Sequence, residues 1–252
     1  MPKQALILSI MLAVGACSRN EQPLANSELA IIESLCLTPP AANNIDYMLW
    51  GKFEVSNFEF HSNPDVELAD IPVVMIDFHE AEEWCRQRGL RLPTAGEWSM
   101  VTSNTEMASS KAGARNDIDL DINRPLPGGV FERGRLEWGM YDMHSNVREW
   151  VSTDSPTHAI AVGASFASRS DIDQQLAMNK RDRAVDVGFR YVADAVEYIE
   201  QHIAPRWNSM NGTQRQQARL AIGEWKKDWR LALAAKLDAS MVGKDLLLAI
   251  KQ

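Results

Sequence analysis

The sequence predicts an α+β domain poor in regular structure, carrying a helical extension at its C-terminus. Three observations point there. Between Tyr47 and Tyr191, short strand-like and helix-like stretches alternate with long polar loops. The helices in that region are announced by capping residues rather than by long apolar periods. After about Tyr191 the texture changes, and apolar residues recur at helical spacing. At 252 residues and 45% apolar, the chain can build one substantial domain with additions.

The first residues read as an address. Lys3 makes a short basic start, Ala5 to Val14 is an apolar run, and Gly15-Ala16-Cys17 closes it with small residues. That run is too short to span a bilayer, so residues 1–16 read as a signal peptide. A Cys at this junction resembles a bacterial lipoprotein signal, which makes Cys17 the lipidation site; the alternative is a secretory signal with an incidental Cys. By the same resemblance, Ser18 favours the outer membrane. Residues 17–46 include SRNEQPLANS and TPPAANN, the composition of a tether, with one short helix at Glu28 to Leu35.

From residue 47 to 193 the elements follow in order. Phe53 to Phe60 alternates like a strand, and Pro72 to Ile76 is a second apolar strand. Asp77 opens a helix with Glu80 completing a capping box; Ala81, Trp84, Cys85 and Arg88 follow at helical spacing, and Gly89 ends it. Thr94 and Glu97 repeat the device for a second short helix. Residues 102–137 are polar, irregular and read as loops. The segment 194–252 forms the helical module. Val196, Ile199 and Ile203 share a face that Pro205 terminates, and a helix from Thr213 to about Ala239 carries Ala218, Ile222, Trp225, Trp229, Ala232 and Leu233 on one stripe.

Composition excludes several classes. A net charge of −8 gives no basic footprint for nucleic acid, and there is no Walker loop, GxGxxG or internal repeat. His61, His79, His144, His158 and His202 are scattered, without HExxH spacing. Ser165 and Ser168 lie near His158, yet no G-x-S-x-G elbow accompanies them. Asp117, Asp119 and Asp121 alternate as solvated loop acids do, though acid–base or calcium chemistry stays open for them. Whether Cys36 and Cys85 pair is also open.

The stretch 138–150, WGMYDMHSNVREW, has no period, so something must satisfy its backbone. Taken with Glu54-Val-Ser-Asn57, PVVMIDFHEAEEWCRQRGLRLPTAGEW, Val162-Gly-Ala-Ser-Phe166 and Gly188-Phe-Arg190, it resembles the formylglycine-generating enzyme (sulfatase-modifying factor) family. The resemblance spans roughly residues 47 to 193 and implies a compact, loop-rich fold similar to C-type lectin domains. It also implies where chemistry should sit. The family's two catalytic thiols, which bind copper(I), fall here on Ser168 and Asp173, and no Cys follows Cys85. Hydroxyl and carboxylate cannot replace soft thiolates, so no copper and no formylglycine generation are expected. The family's calcium loop carries over to Asp142, the carbonyls of His144, Ser145 and Val147, and Glu149, with a second site at Asn116 and the Asp117 carbonyl. Ser145 stands where the family has Gly, which strains the loop if φ is positive there. Arg148 replaces a Trp and offers a guanidinium as the alternative to calcium.

These readings together imply a lipid-anchored envelope protein whose domain binds or assembles with another envelope protein or a glycan. An enzyme of cysteine-independent oxidative chemistry and a lectin-like display scaffold are the alternatives. Trp84, Trp98, Trp138 and Trp150 read as core. Trp207, Trp225 and Trp229, outside the domain's own pattern, are the candidate partner-binding residues.

Overall fold

In the computed structural model, the described residues are 27–40, 46–61, 65–103, 123–168 and 175–252. They form an α+β structure. Helix α1 (Ser27–Glu33) leads into β1 (Leu35–Thr38), which pairs antiparallel with β2 (Met48–Gly51). Two further helices precede the second sheet, α3 (Phe78–Arg86) and α4 (Ala95–Ser103), after a one-turn helix α2 (Asn57–Phe60). The second sheet has the order β5-β4-β3-β6, from β3 (Arg148–Val151), β4 (His158–Val162), β5 (Gln175–Asn179) and β6 (Val187–Phe189). Strand β6 runs parallel to β3, and the other pairs in that sheet are antiparallel. Strand β7 (Val192–Asp194) then returns to β2, closing the three-stranded sheet. One short stretch of chain, 187–194, thus supplies a strand to each sheet.

Several expectations change. The assumed tether is part of the fold from Ser27 to Thr38: Ile32, Leu35, Cys36 and Leu37 are buried, and β1 is a sheet strand. Its apolar run Leu35-Cys-Leu is short, and a Pro pair follows at once, which hid the strand. The strand expected over Phe53–Phe60 is helix α2 at its end. There Ser56 accepts the Glu59 N–H and Glu59 accepts the Ser56 N–H, and this capping box outweighs the alternation. Pro72–Ile76 forms no strand: it makes an isolated bridge between Ser56 and Pro72, and Met75 turns to φ 59°. Asp77 and Glu80 do cap α3, Gly89 sits at φ 70°, and Thr94 and Glu97 exchange reciprocal bonds at the start of α4.

The tail also differs in detail. Helix α5 (Ala195–Tyr198) runs into a π-helical turn (Ile199–Ile203) and on into α6 (Ala204–Ser209), so Pro205 does not end the helix. The Ala204 N–H reaches back to the Ile199 carbonyl, and Pro205 lies in the first turn of α6, where a missing N–H is tolerated. The long second helix is two, α7 (Gly212–Gly223) and α8 (Lys227–Ala234), followed by α9 (Ala239–Lys251). One apolar core joins Trp84, Trp150, Phe189 and Tyr191 of the domain to Trp207, Ile222, Trp225, Leu233 and Ile250 of the tail. A smaller cluster gathers Trp50, Trp98, Met140, Met143 and Val162 behind the 138–150 loop.

Candidate functional site

The 138–150 loop turns on two left-handed residues, Asp142 at φ 62° and Asn146 at φ 69°. Ser145 is not among the positive-φ residues, so the strain expected there does not arise. Asx residues tolerate this conformation because their short side chains bond locally. Asn146 uses its amide on both backbone groups of Leu126, at 3.0 and 3.2 Å, and Asp142 accepts the Gly129 N–H at 2.7 Å. The loop therefore holds the 126–129 segment by side-chain bonds in place of a sheet. His144, Ser145 and Val147 are buried within it.

Strand β3 then sends its side chains to opposite faces. Arg148 goes one way: it donates to Asp186 Oδ2 at 2.7 Å, and the Ser165 hydroxyl donates to the same oxygen at 2.5 Å. Glu149 goes the other way, to Arg190. Arg148 thus does not serve as the cation for Glu149, because strand alternation separates them. That partner is Arg190, which is 0% exposed. Its Nε donates to Glu149 Oε1 at 3.0 Å, and its two terminal nitrogens donate to the carbonyls of Gly51 and Tyr141, each at 2.8 Å. Trp98 Nε1 donates to the other Glu149 oxygen at 2.9 Å. One guanidinium therefore ties the end of β2, the 138–150 loop, β3 and the β6–β7 link.

Glu54 completes this centre. It lies 3.8 Å from Arg190, is fully buried, and neither carboxylate oxygen has a hydrogen-bond partner. Burial, and then the neighbouring Asp142 charge, push its carboxyl well above the ordinary range, with Arg190 pulling back. Burial opposes the charge on Arg190 too, but Glu149 and Glu54 keep its pKa above the usual value. With Glu54 held toward its neutral form, Asp142 and Glu149 face one guanidinium, a formal excess of one negative charge. A hard divalent cation would suit that excess, although both Glu149 oxygens already accept from Arg190 and Trp98. Among the described residues no three Asp, Glu, His or Cys side chains converge on one metal position. An ion there would therefore rest on Asp142 and Glu149 with backbone carbonyls. Asn116, Asp117, Asp119 and Asp121 lie outside the described residues, as does Cys17.

The positions of the family's thiols carry different chemistry. Ser168 closes a turn, its N–H on the Ser165 carbonyl at 3.1 Å, beside the Ser165–Asp186–Arg148 group; Asp173 lies outside the described residues. Cys36 and Cys85 are both free and buried, so they do not pair. Burial pushes the Cys36 thiol up to about 11 and raises that of Cys85 as well, which leaves both poor thiolates. His158 is exposed and bonds its neighbour Thr157.

The three tail tryptophans are not a free surface. Trp207 and Trp225 are buried; Trp207 donates to Asp245 Oδ2 at 3.1 Å and Trp225 to the Leu35 carbonyl at 3.0 Å. Trp229 is half-buried and stacks on Trp138 with ring centroids 5.1 Å apart. Their assignment to partner binding is corrected: Trp225 is buried against β1 and Trp229 packs on the 136–139 loop, while Ala232 of the expected stripe is exposed. Lys52, Arg135, Trp138, Lys226 and Trp229 line a narrow cleft there, above Cys36. Sequence reasoning missed the roles of Glu54 and Arg190. The available signal was a charged residue between apolar neighbours in two motifs, FEV and GFR.

Residues 42–195, more than half of the chain, match the sulfatase-modifying factor enzyme 1-like domain. Hercynine oxygenase of Mycolicibacterium smegmatis is 30% identical over 94 residues, covering 33% of this chain and 22% of that relative. The chain therefore matches about a fifth of that relative's length. Among solved structures, CarF is similar with a TM-score of 0.48 at 16% identity, over 61% of this chain and 88% of that one. Variable protein 1 of Treponema denticola gives 0.47 at 14%, over 64% and 94%. PvdO from Pseudomonas aeruginosa gives 0.44 at 14%, over 64% and 91%.

Proposed function

This chain belongs to the sulfatase-modifying factor family, and from that premise we propose that its domain is a binding or assembly module without thiol-based oxidase chemistry. The observation that carries the reading is Ser168, with the Ser165–Asp186–Arg148 group beside it, where the family has its first catalytic thiol. A copper(I) site needs two soft thiolates, and no Cys follows Cys85 in the sequence. An ion pair this buried resists rearrangement, since breaking one costs about 3–5 kcal/mol. It suits a scaffold better than a reacting centre.

Lipidation at Cys17 and residence on the outer membrane belong to the same proposal, supported by the Val14-Gly-Ala-Cys17 junction. The partner is another envelope protein or a glycan. Calcium, held by Asp142 and Glu149, is proposed as the counter-charge at the Glu54–Arg190 centre; it would neutralise the excess carboxylate charge and order the loop. The test is purification of the full chain from solubilised membranes, beside a Cys17→Ala variant, read by mass spectrometry. An acylated chain with a stoichiometric envelope partner is expected. An unacylated chain that purifies alone contradicts the reading.

A further inference from the structure

The excursion from Ser56 to Pro72 displays apolar side chains outward. Phe58 is 61% exposed, Val66 89% and Leu68 49%, within one short segment. Its described parts are firmly tied. Ser56 and Pro72 bridge its ends, and the Phe58 N–H bonds the Ala69 carbonyl at 2.9 Å. The Asn57 amide donates to the carbonyls of Leu68 and Ile71, at 3.1 and 3.0 Å. Asp65 caps the 3-10 turn Val66–Leu68. These bonds set Phe58 and Leu68 on adjoining backbone and hold both side chains in solvent, where each has given up the burial a core would offer. Fixed, clustered exposure of this kind marks an interaction site.

Charge selects the occupant. Asp65, Glu67 and Asp70 are exposed around the three apolar residues. From Phe53 to Cys85 the sequence holds nine Asp and Glu and no Lys or Arg. Glu59 lies within electrostatic reach of Arg88, which follows α3 and lies beyond that stretch. An anionic membrane surface would be repelled by this rim, and a neutral apolar groove would not need it.

We propose that Phe58, Val66 and Leu68, inside the Asp65–Glu67–Asp70 rim, dock a protein segment that places Lys or Arg around an apolar anchor. This rests on the reading of the domain as a binding module and names the face it uses. The rim steers the basic segment in and fixes its register, while the apolar three supply the contact that outlasts salt.

The test places a photo-crosslinking residue at position 66 of the full chain in its native membranes. Val66 is the choice because its exposure leaves packing untouched. Expected is a protein adduct whose crosslinked peptide carries Lys or Arg beside an apolar residue, with yield falling at least fivefold in Glu67→Lys at unchanged melting temperature. An adduct to lipid, to a second copy of this chain or to an acidic segment overturns the proposal. So does an adduct indifferent to Glu67→Lys, or none at all. The same probe at Leu220, exposed on α7, separates the two readings. Protein adducts from 220 with none from 66 sink this surface and spare the binding module. Aldehyde formation on a cysteine peptide sinks the module and leaves the surface standing.

Discussion

Replacing Arg190 by Met should be among the most damaging single changes in this domain. The guanidinium is fully buried and donates to Glu149 and to the carbonyls of Gly51 and Tyr141. Methionine fills much of the volume, so the cost is chiefly electrostatic. It leaves Glu149 with only the Trp98 donor, brings no charge to Glu54, and strips two buried carbonyls. Breaking a buried pair and orphaning those acceptors together costs about 4–6 kcal/mol. Against a total stability of about 5–15 kcal/mol, that is a large share. For a chain of this size it corresponds to a fall in melting temperature of about 10–20 °C. Urea unfolding followed by tryptophan fluorescence reads the change. Arg190→Lys keeps the charge but loses the fork, and should lose about half as much, which covers the case in which the Met variant does not fold. A loss under about 1 kcal/mol in Arg190→Met would refute the placement of this residue at the hub.

Three further outcomes follow from the same structure. Calcium that binds only the folded chain adds about 2.7 kcal/mol at a hundredfold excess over its dissociation constant, so a chelator should lower the melting temperature by several degrees. Asp142→Asn, which keeps the left-handed turn, should abolish that response; an unchanged melting curve with chelator would remove calcium from the account. Trp225→Ala should cost about 3–5 kcal/mol through the lost ring and the orphaned Leu35 carbonyl. A variant that instead loses a co-purifying partner at unchanged stability would return Trp225 to the surface. Gly89→Ala should cost about 1–3 kcal/mol, because φ there is 70° and a Cβ would lie 2.1 Å from His202 Nε2. A neutral result by thermal melting would mean that His202 moves aside freely.

What the sequence made legible was local chemistry. The capping pairs Asp77–Glu80 and Thr94–Glu97 and the cap at Gly89 each announce an element through residues a few positions apart, and each stands as read. The same logic applied to Ser56 and Glu59 would have found α2, which the apolar alternation of Phe53–Phe60 concealed. Contacts between distant segments were not legible. Arg190 meets Gly51, Tyr141 and Glu149 across long sequence separations, and no spacing rule connects them. Arg148 looked like the partner of Glu149 because they are adjacent, yet adjacency in a strand is what sends them to opposite faces. The tail stripe was read correctly as apolar. What it covers depended on β1, whose three apolar residues Leu35, Cys36 and Leu37 are too few to declare a strand.

The most direct measurement of the central claim is an oxidation assay on the purified full chain. A cysteine-containing peptide of the sulfatase type is incubated with the protein, copper(I), oxygen and a reductant, and aldehyde is read by mass spectrometry against a heat-killed control. With Ser168 at the first thiol position and both described cysteines buried, the account predicts no aldehyde above the control. Aldehyde formation that depends on the folded protein would contradict it.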